Sequence, residues 1–332
     1  MKVLWIKDSK AGHLSKALGL LMAMGGRLDL EVIEYVLDWR WPVLRQPLSW
    51  LGNAGLALDA KWFLKGMPAL DGIELVVSAG GATQWLNAAV SRRCGVGNVF
   101  LGSPRNLDPR GFSLIASHDA PQDGGRFFRF DLIPSAVTRK LASAAAVDAG
   151  FEVRKDIGLL IGGDGEGIRW RAEDYLSMGR KLISLAQESG TGAWIATSRR
   201  TPAAAEAGLQ AMLDEAGLPG GACWAHRKSA AAPPLLSMMG ACGHLFVTAD
   251  SMSMTHEAVA AGAKVHSLLP DASMNPRLMG NIRFLEEKGW VLPLAADGSW
   301  RIDQAPKAGW SVVPEEPCRS LADAVLRALN PN

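Results

Sequence analysis

Hydroxyl and guanidinium side chains stand together in the segment Thr197-Ser198-Arg199-Arg200, which follows an apolar run and precedes Pro202. Arginine can form two parallel hydrogen bonds to phosphate oxygens, and hydroxyl groups add further donors. Proline at the start of a helix places the segment at the end of a strand and before a helix. We therefore predict that the segment binds a diphosphate. A solvated charge pair in a surface loop is the alternative that the sequence leaves open.

A second predicted anion site follows the apolar run 245–248, which stops at Asp250 and Ser251. A helical pattern of small residues occupies 252–261, and the N–H groups at the start of a helix favour anions. Either Ser251 or Ser253 can cap this helix. The residues expected around the anion are Asp250, Ser251, Met252 and Ser253.

Glu257 lies about one turn into the same helix. Next to an anion site, its carboxylate can accept hydrogen bonds from ribose hydroxyls, although a glutamate in an alanine-rich helix is more commonly a solvated surface residue. Asp250 can also accept hydrogen bonds from ribose hydroxyls, and helix capping is its alternative role.

The segment 162–167 is rich in glycine and begins Gly162-Gly163-Asp164. It lacks both the G-x-G-x-x-G spacing of a dinucleotide site and the lysine of a P-loop. A tight turn and a close approach of the backbone to a ligand are both compatible with it. Asp164 and Glu166 alone do not make a metal site, so we assign no metal and no cofactor.

Gly12 and His13 follow the first strand-like run of the chain. A histidine titrates near neutral pH and can act as a general base, so His13 is the candidate catalytic residue. A structural role for this histidine is the alternative.

These candidate residues occur where strands are expected to end, because apolar runs and helical patterns alternate along the chain. Such alternation is typical of parallel sheets covered by helices on both faces. Strands are expected at 2–6, 30–36, 74–79, 98–102, 114–117, 127–133, 156–161, 193–196, 222–225, 245–248 and 264–269. Helices are expected at 83–93, 139–147, 172–188, 203–216 and 252–261.

The alternation divides into two halves of similar size, so we predict an α/β protein with two Rossmann-like domains that face each other across a cleft. The expected N-terminal acceptor domain comprises 1–150, and the expected C-terminal nucleotide-sugar domain comprises 151–332. A length of 332 residues is enough for two such domains.

Composition excludes several classes of protein. A hydrophobic content of 48% with 20% charged residues indicates a globular chain, and a net charge of +2 gives no reason to expect a nucleic-acid partner. The four cysteines are far apart in sequence, which argues against a disulfide framework and a zinc site. No run of about 18 apolar residues occurs. We expect a cytoplasmic protein.

One segment, 39–68, combines tryptophan with basic residues, including Trp41, Trp50 and Trp62. This mixture suits the headgroup layer of a membrane, so peripheral contact with the inner membrane is one interpretation. Packing of the tryptophans against the first domain is the other.

The segment from Thr255 to Val265, with Asn275, Asn281 and the run Leu285-Glu286-Glu287-Lys288-Gly289, resembles the donor site of GT-B glycosyltransferases. The likeness is closest to the N-acetylglucosaminyltransferases that form lipid II. Four motifs in order, KAGHLSKALGL at 10–20, LIGGD at 160–164, TSRRTP at 197–202 and TADSMSMTHEA at 248–258, resemble the bacterial branch of the mitochondrial-fission "elongated mitochondria" family. That family is GT-B-like, and some members carry an epimerase label.

The resemblance implies that the C-terminal domain holds a nucleoside-diphosphate sugar, with UDP as the expected nucleotide. It places Gly163, Ser198 and Arg199 at the diphosphate, the segment 251–253 over it, and Glu257 at the ribose. His13 matches a histidine that follows a glycine-rich loop in the lipid-II enzymes. Here that loop is Lys10-Ala11-Gly12-His13 and lacks the run of glycines.

The resulting hypothesis is a metal-independent glycosyltransferase that acts on a glycan or a lipid-linked acceptor in envelope synthesis. One alternative is a nucleotide-sugar epimerase with the same fold. The other is an adaptor protein that has kept the fold without catalysis.

Overall fold

A computed structural model describes residues 1–44, 47–48, 59–104, 107–120, 125–218, 222–224 and 235–329. Its strands are β1 (Lys2–Lys7), β2 (Glu31–Val36), β3 (Leu75–Ala79), β4 (Gly97–Leu101), β5 (Leu114–Ser117), β6 (Phe127–Arg129), β7 (Asp156–Leu160), β8 (Ala193–Ala196), β9 (Ala222–Trp224), β10 (Cys242–Thr248), β11 (Lys264–Leu269) and β12 (Val291–Ala295). Its longer helices are α1 (Ala11–Gly25), α2 (Gln84–Cys94), α3 (Arg139–Asp148), α4 (Ala172–Ser189), α5 (Ala203–Ala216), α6 (Leu235–Ala241), α7 (Met252–Ala260), α8 (Pro276–Glu287) and α9 (Arg319–Leu329).

The chain forms two compact units, and the first comprises Met1–Ala136 together with Glu316–Asn332. Its strands pair in parallel in the order β2-β1-β3-β4-β5-β6. Along β1, Val3 and Trp5 join the core beneath α1 and α9, whereas Leu4 and Ile6 join the core beneath α2. Strands buried on both faces explain the nearly continuous apolar runs in the sequence.

The second unit comprises Val137–Glu315. Its strands also pair in parallel, in the order β12-β11-β10-β7-β8-β9. Counted from β7, this is the 3-2-1-4-5-6 order of a Rossmann fold. Helices α4 and α5 cover one face, where Tyr175, Leu182 and Leu209 are fully buried against the strands.

The division into units differs from the expected boundary at 150/151 in two respects. Helix α3 belongs to the second unit, because it packs so closely on α6 that a Cβ atom at Gly240 would overlap the Ala142 carbonyl. Helix α9 returns to the first unit, where it packs on α1, β4 and β5 and buries Leu321 and Val325 in the core. Both helices are amphipathic, and the pattern alone does not say which sheet they cover.

Within the tryptophan-rich segment 39–68, some of the described aromatic residues are packed and others are exposed. Trp39 and Phe63 both contact Trp85 of α2, with ring centroids 5.7 and 6.0 Å apart. Trp41 and Trp62 are 53% and 74% exposed. Trp50 lies outside the described residues.

In the part of the chain that the structure covers, no helix combines the length and apolar character needed to cross a membrane. The four cysteines are unpaired thiols.

Candidate functional site

The candidate residues of the second unit meet at the carboxyl ends of β7, β8 and β10. β7 and β10 are neighbours, and the strand order reverses between them. Ligands of open α/β sheets bind in the crevice at such a reversal, since the loops that follow the two strands diverge to opposite faces.

The glycine segment after β7 lies directly against the turn after β10. Gly162 N–H donates to Thr248 Oγ1 over 2.8 Å. A Cβ atom at Gly162 would overlap Asp250 Oδ2 and lie 2.7 Å from Ser251 Cβ. Only glycine permits this close approach. The segment forms a tight turn, which is one of its two interpretations. The other, a close approach of its backbone to a ligand, stays a prediction.

The same glycine segment is fixed to the turn after β8. Ser198 Oγ donates to the Gly162 carbonyl, and Arg200 N–H donates to Ser198 Oγ over 3.1 Å. Gly163 has a φ of +95° and forms a bridge with Arg200. A side chain there would clash with the Arg200 backbone. Ser198 therefore acts first as a link between two loops.

Arg200 and Asp250 form an ion pair at the centre of the cluster. Arg200 Nη2 lies 2.9 Å from Asp250 Oδ2, and Arg200 Nη1 donates to the Asp164 carbonyl over 2.8 Å. Among the described residues no donor is well aligned on Asp250 Oδ2, so the contact is ionic rather than a directed hydrogen bond. Arg200 is thus held by protein groups, which position its guanidinium, and its contact with a diphosphate stays a prediction.

Asp250 is fully buried, and its other carboxylate oxygen accepts a hydrogen bond from Trp170 Nε1 over 3.0 Å. Burial raises the pKa of Asp250 to about 6, although hydrogen bonds from Thr248 and Trp170 and the charge of Arg200 oppose this shift. A carboxylate enclosed in this way is unsuited to ribose binding or helix capping, the two roles predicted for it.

Helix α7 begins at Met252, two residues after Asp250, and its first backbone N–H groups make no hydrogen bond to described residues. Ser251 occupies the N-cap position, but its side chain makes no capping hydrogen bond. The N–H groups of Met252, Ser253 and Met254 have no acceptor among the described residues. Unsatisfied N–H groups at a helix start attract anions. This feature agrees with the expected anion site.

Arg199 and Thr197, two further residues of the predicted diphosphate segment, differ in exposure. Arg199 is exposed, and no described residue forms an ion pair or hydrogen bond with it. Thr197 is buried and donates to Glu206 Oε1 of α5 over 2.6 Å. Thr197 therefore belongs to the contact between β8 and α5, and its role at the diphosphate stays a prediction.

The remaining predicted residues of this unit lie on helices around the cluster. Met252 is half-buried and packs on the core, and Ser253 is half-buried. Glu257 is half-buried on α7. Asn281 lies on α8, and its Oδ1 is buried without a hydrogen-bond partner in the described part of the chain.

A cavity of about 340 Å³ lies beside Trp170 at the carboxyl ends of β7, β11 and β12. Its lining combines Arg169 and Arg171 with carboxylates, among them Asp271 and Asp297. No group of three or more His, Cys, Asp or Glu side chains able to hold a metal ion occurs in the regions described.

In the first unit, Gly12 and His13 lie in the first turn of α1, after β1. His13 Nδ1 is 2.7 Å from Asp8 Oδ2, and the Asp8 side chain is only 9% exposed. The imidazole ring lies against Gly80, whose φ is +85° and where any Cβ atom would collide with the ring. A carboxylate on Nδ1 fixes the ring orientation and leaves Nε2 for chemistry.

The family model described as "Mitochondrial fission ELM1" matches residues 11–329. The chain belongs to the mitochondrial fission ELM1 family. This confirms the predicted family resemblance. Among curated proteins, no sequence matches this member of the ELM1 family.

Several solved structures resemble this ELM1-family chain at low sequence identity. S. aureus MnaA, solved with UDP, has a TM-score of 0.52 and 12% identity over 99% of this chain and 89% of that chain. E. coli ADP-heptose LPS heptosyltransferase II has a TM-score of 0.47 and 15% identity over 99% and 98%. Acinetobacter baumannii MurG has a TM-score of 0.46 and 12% identity over 99% and 95%. The fold is α/β and GT-B-like, as predicted.

Sequence reasoning missed three partners in these clusters: Asp8, Thr248 and Trp170. Asp8 carried a usable signal, because a carboxylate at a strand end five residues before a histidine can reach the same turn. Trp170 carried none, since 80 residues separate it from Asp250.

Proposed function

We propose that this ELM1-family protein is a glycosyltransferase that uses a nucleoside-diphosphate sugar, with UDP as the nucleotide. The observation that carries the proposal is the start of α7 at the strand-order reversal, where three N–H groups have no acceptor among the described residues. In this proposal the diphosphate lies on these N–H groups, next to the Gly162–Asp250 contact.

Arg199 supplies the positive side-chain charge that contacts the diphosphate in this proposal. Its guanidinium is exposed and has no partner in the described residues, whereas Arg200 is engaged by Asp250. When the bond between sugar and diphosphate breaks, negative charge grows on the leaving oxygen. Arg199 and the α7 N–H groups stabilise that charge, so the proposed reaction invokes no metal ion.

The sugar and ribose have candidate partners nearby. The cavity beside Trp170 offers the carboxylates of Asp271 and Asp297, which can accept hydrogen bonds from sugar hydroxyls. Glu257 remains our candidate for the ribose hydroxyls, and Asn281 offers a buried oxygen without a partner in the described chain.

A general base for the acceptor hydroxyl is available in the first unit. The contact with Asp8 holds His13 with Nδ1 toward the carboxylate, so that Nε2 is the atom that takes the acceptor proton. We propose a hydroxyl of an envelope glycan or glycolipid as the acceptor. The exposed Trp41 and Trp62 support peripheral contact of segment 39–68 with a membrane surface.

Isothermal titration calorimetry with UDP tests the donor site. Replacing Arg199 by alanine removes a charged hydrogen-bond donor, and such bonds contribute about 1.5–3 kcal/mol, so UDP binding should weaken at least about tenfold. Arg180→Ala is the matched control, because Arg180 is an exposed arginine on α4 of the same unit. Equal UDP affinity in wild type and Arg199→Ala would refute the donor site.

The chemical step is tested by NMR on the UDP-sugar with and without an acceptor. Glycosyl transfer requires release of UDP that depends on the acceptor. If an epimer forms from the donor alone, the protein is an epimerase and not a glycosyltransferase. If the donor binds but is not turned over, the protein is an adaptor.

A further inference from the structure

A second cavity lies at the opposite edge of the second sheet, where the strands begin. Its volume is about 450 Å³, within the range of small-molecule sites. His244 near the start of β10 and Lys264 at the start of β11 are register partners, and Trp290 immediately precedes β12. Parallel strands place all these amino ends on one edge, so the cavity is separate from the edge that carries the proposed diphosphate site.

Positive charge dominates the lining of this cavity. Arg139, Arg154 and Lys264 line it, and none of the described residues in its lining is an aspartate or glutamate. Arg139 and Arg154 lie side by side, because a Cβ atom at Gly262 would be 2.9 Å from Arg139 Cγ and 3.2 Å from Arg154 Nη2. Two adjacent guanidinium groups without a carboxylate repel one another. An anion between them would relieve that repulsion.

Arg154 is a fixed part of the wall. Its Nη1 donates to the carbonyls of Met239 and Cys242 over 2.9 and 3.1 Å, and its Nη2 donates to the Ala261 carbonyl. Its backbone has a φ of +62°, which non-glycine residues rarely adopt. Burial and the neighbouring Arg139 lower the pKa of Arg154. The contacts are all to neutral carbonyls, so the charge of Arg154 is not neutralised by them.

Aromatic rings form another part of the wall. Trp310 packs edge-on against His266 at a centroid distance of 5.5 Å, and its Nε1 donates to the Gln304 carbonyl over 3.3 Å. His244 stacks on His266, with 3.0 Å between Nδ1 and Nε2. Burial lowers the pKa of His244 to about 4, so this imidazole is neutral at pH 7 and adds no charge. Trp290 and Trp310 thus offer ring surface beside a cationic wall.

We propose that this cavity binds a small molecule that carries a phosphate group and a flat ring. The phosphate contacts Arg139, Arg154 and Lys264, and the ring packs on Trp290 and Trp310. A free phosphate ion would use the charged wall alone and leave the indoles without a role. The site is independent of the function proposed above, because it shares no residue with the diphosphate site.

Fluorine NMR of the full chain labelled with 5-fluorotryptophan tests the proposal locally. The resonances of Trp290 and Trp310 are assigned with Trp290→Phe and Trp310→Phe. AMP should shift both resonances, and adenosine and inorganic phosphate should each bind at least tenfold more weakly than AMP. The proposal is overturned if millimolar AMP leaves both resonances unchanged, or if adenosine or phosphate alone binds as tightly as AMP.

Charge variants identify the groups that hold the phosphate. Lys264→Ala and Arg139→Ala should each weaken AMP binding at least about tenfold, as expected for the loss of a charged hydrogen bond. Lys140→Ala is the matched control, since Lys140 is exposed, adjacent to Arg139 and absent from the lining. If Lys140→Ala lost as much AMP affinity as the other two variants, the effect would come from the net charge of the protein and not from this cavity. That result would overturn the proposal.

Arg199→Ala separates the two sites. It should weaken UDP binding at the other edge of the sheet at least about tenfold while the Trp290 and Trp310 resonances respond to AMP as in wild type. Loss of the AMP response in Arg199→Ala would show that the resonances report the diphosphate site, and it would overturn the second site.

Discussion

Asp250 illustrates how burial and pairing set the charge of the candidate site. Its carboxyl group is fully buried between the indole of Trp170 and the guanidinium of Arg200. Burial disfavours the ionised form, and the pKa rises to about 6 even with these partners in place. Near neutral pH the ionised Asp250 balances Arg200, so the positive charge left for a ligand is mainly that of Arg199.

The raised pKa of Asp250 predicts a specific pH dependence of stability. Between about pH 4 and pH 6 the folded protein holds a proton that the unfolded chain has lost, so the unfolding free energy falls as pH rises through this window. A shift from 3.8 to about 6 corresponds to roughly 3 kcal/mol. In Asp250→Asn this decrease should be absent. Urea denaturation at pH 4 and pH 7 measures it.

The control for this titration is Asp303→Asn. Asp303 is exposed and pairs with Arg301, so its replacement should leave the wild-type dependence between pH 4 and pH 7 nearly unchanged. A constant difference in unfolding free energy between wild type and Asp250→Asn across that range would contradict the prediction.

At the scale of single residues, the sequence predicted which side chains lie at the site. It was less informative about the contacts that each side chain makes there. Ser198, Arg200 and Asp250 do meet at one place, because each follows a strand of the same parallel sheet. Their roles depend on contacts across long stretches of chain, such as the 36 residues between Arg200 and Asp164. Local pattern carries no information about such pairs.

At the scale of elements, the site depends on the close approach of the loop after β7 to the turn after β10. Gly162→Ala places a methyl group in the space of Asp250 Oδ2 and Ser251 Cβ. We expect a loss of about 1–3 kcal/mol in unfolding free energy, as for other insertions into well-packed regions. UDP affinity should fall with it, because the start of α7 moves.

Gly280→Ala is the matched control for this substitution. Gly280 lies within α8, and a Cβ atom there would meet nothing within 4 Å. Alanine is favoured over glycine in a helix by roughly 0.5–1 kcal/mol, so this variant should be slightly more stable than wild type. Thermal and urea denaturation of both variants test the pair. Equal stability of Gly162→Ala and wild type would contradict the close contact.

Element boundaries were predictable where flanking turns are clear. β8 and α5 have the predicted bounds, and α4 differs from its prediction by one residue. The unit to which α3 belongs was not predictable, because an alanine-rich helix can cover either sheet. The expected boundary placed it in the first domain, whereas it belongs to the second unit. Its contact with α6 involves small residues on both helices, and close packing of this kind appears only in three dimensions.

At the scale of the whole molecule, the two Rossmann-like units differ in strand order but share one feature. In each sheet, candidate site residues follow the two strands between which the order reverses. In the first sheet the order reverses between β1 and β3, and His13 and Gly80 follow these two strands. In the second sheet it reverses between β7 and β10, which Gly162 and Asp250 follow. Alternation of strands and helices predicted both sheets, but the order of the strands requires the pairing of residues far apart in the chain.

Because each unit has its own core, matched core substitutions should act on different parts of the chain. Leu321 of α9 is buried under the first sheet, and Leu182 of α4 is buried under the second. Each leucine-to-alanine change should cost about 2–5 kcal/mol. Leu321→Ala should reduce hydrogen-exchange protection of β4 amides, which α9 covers, while Leu182→Ala reduces that of β7 amides. If Leu321→Ala instead lowered protection in β7 and spared β4, the assignment of the C-terminal helix to the first unit would be wrong.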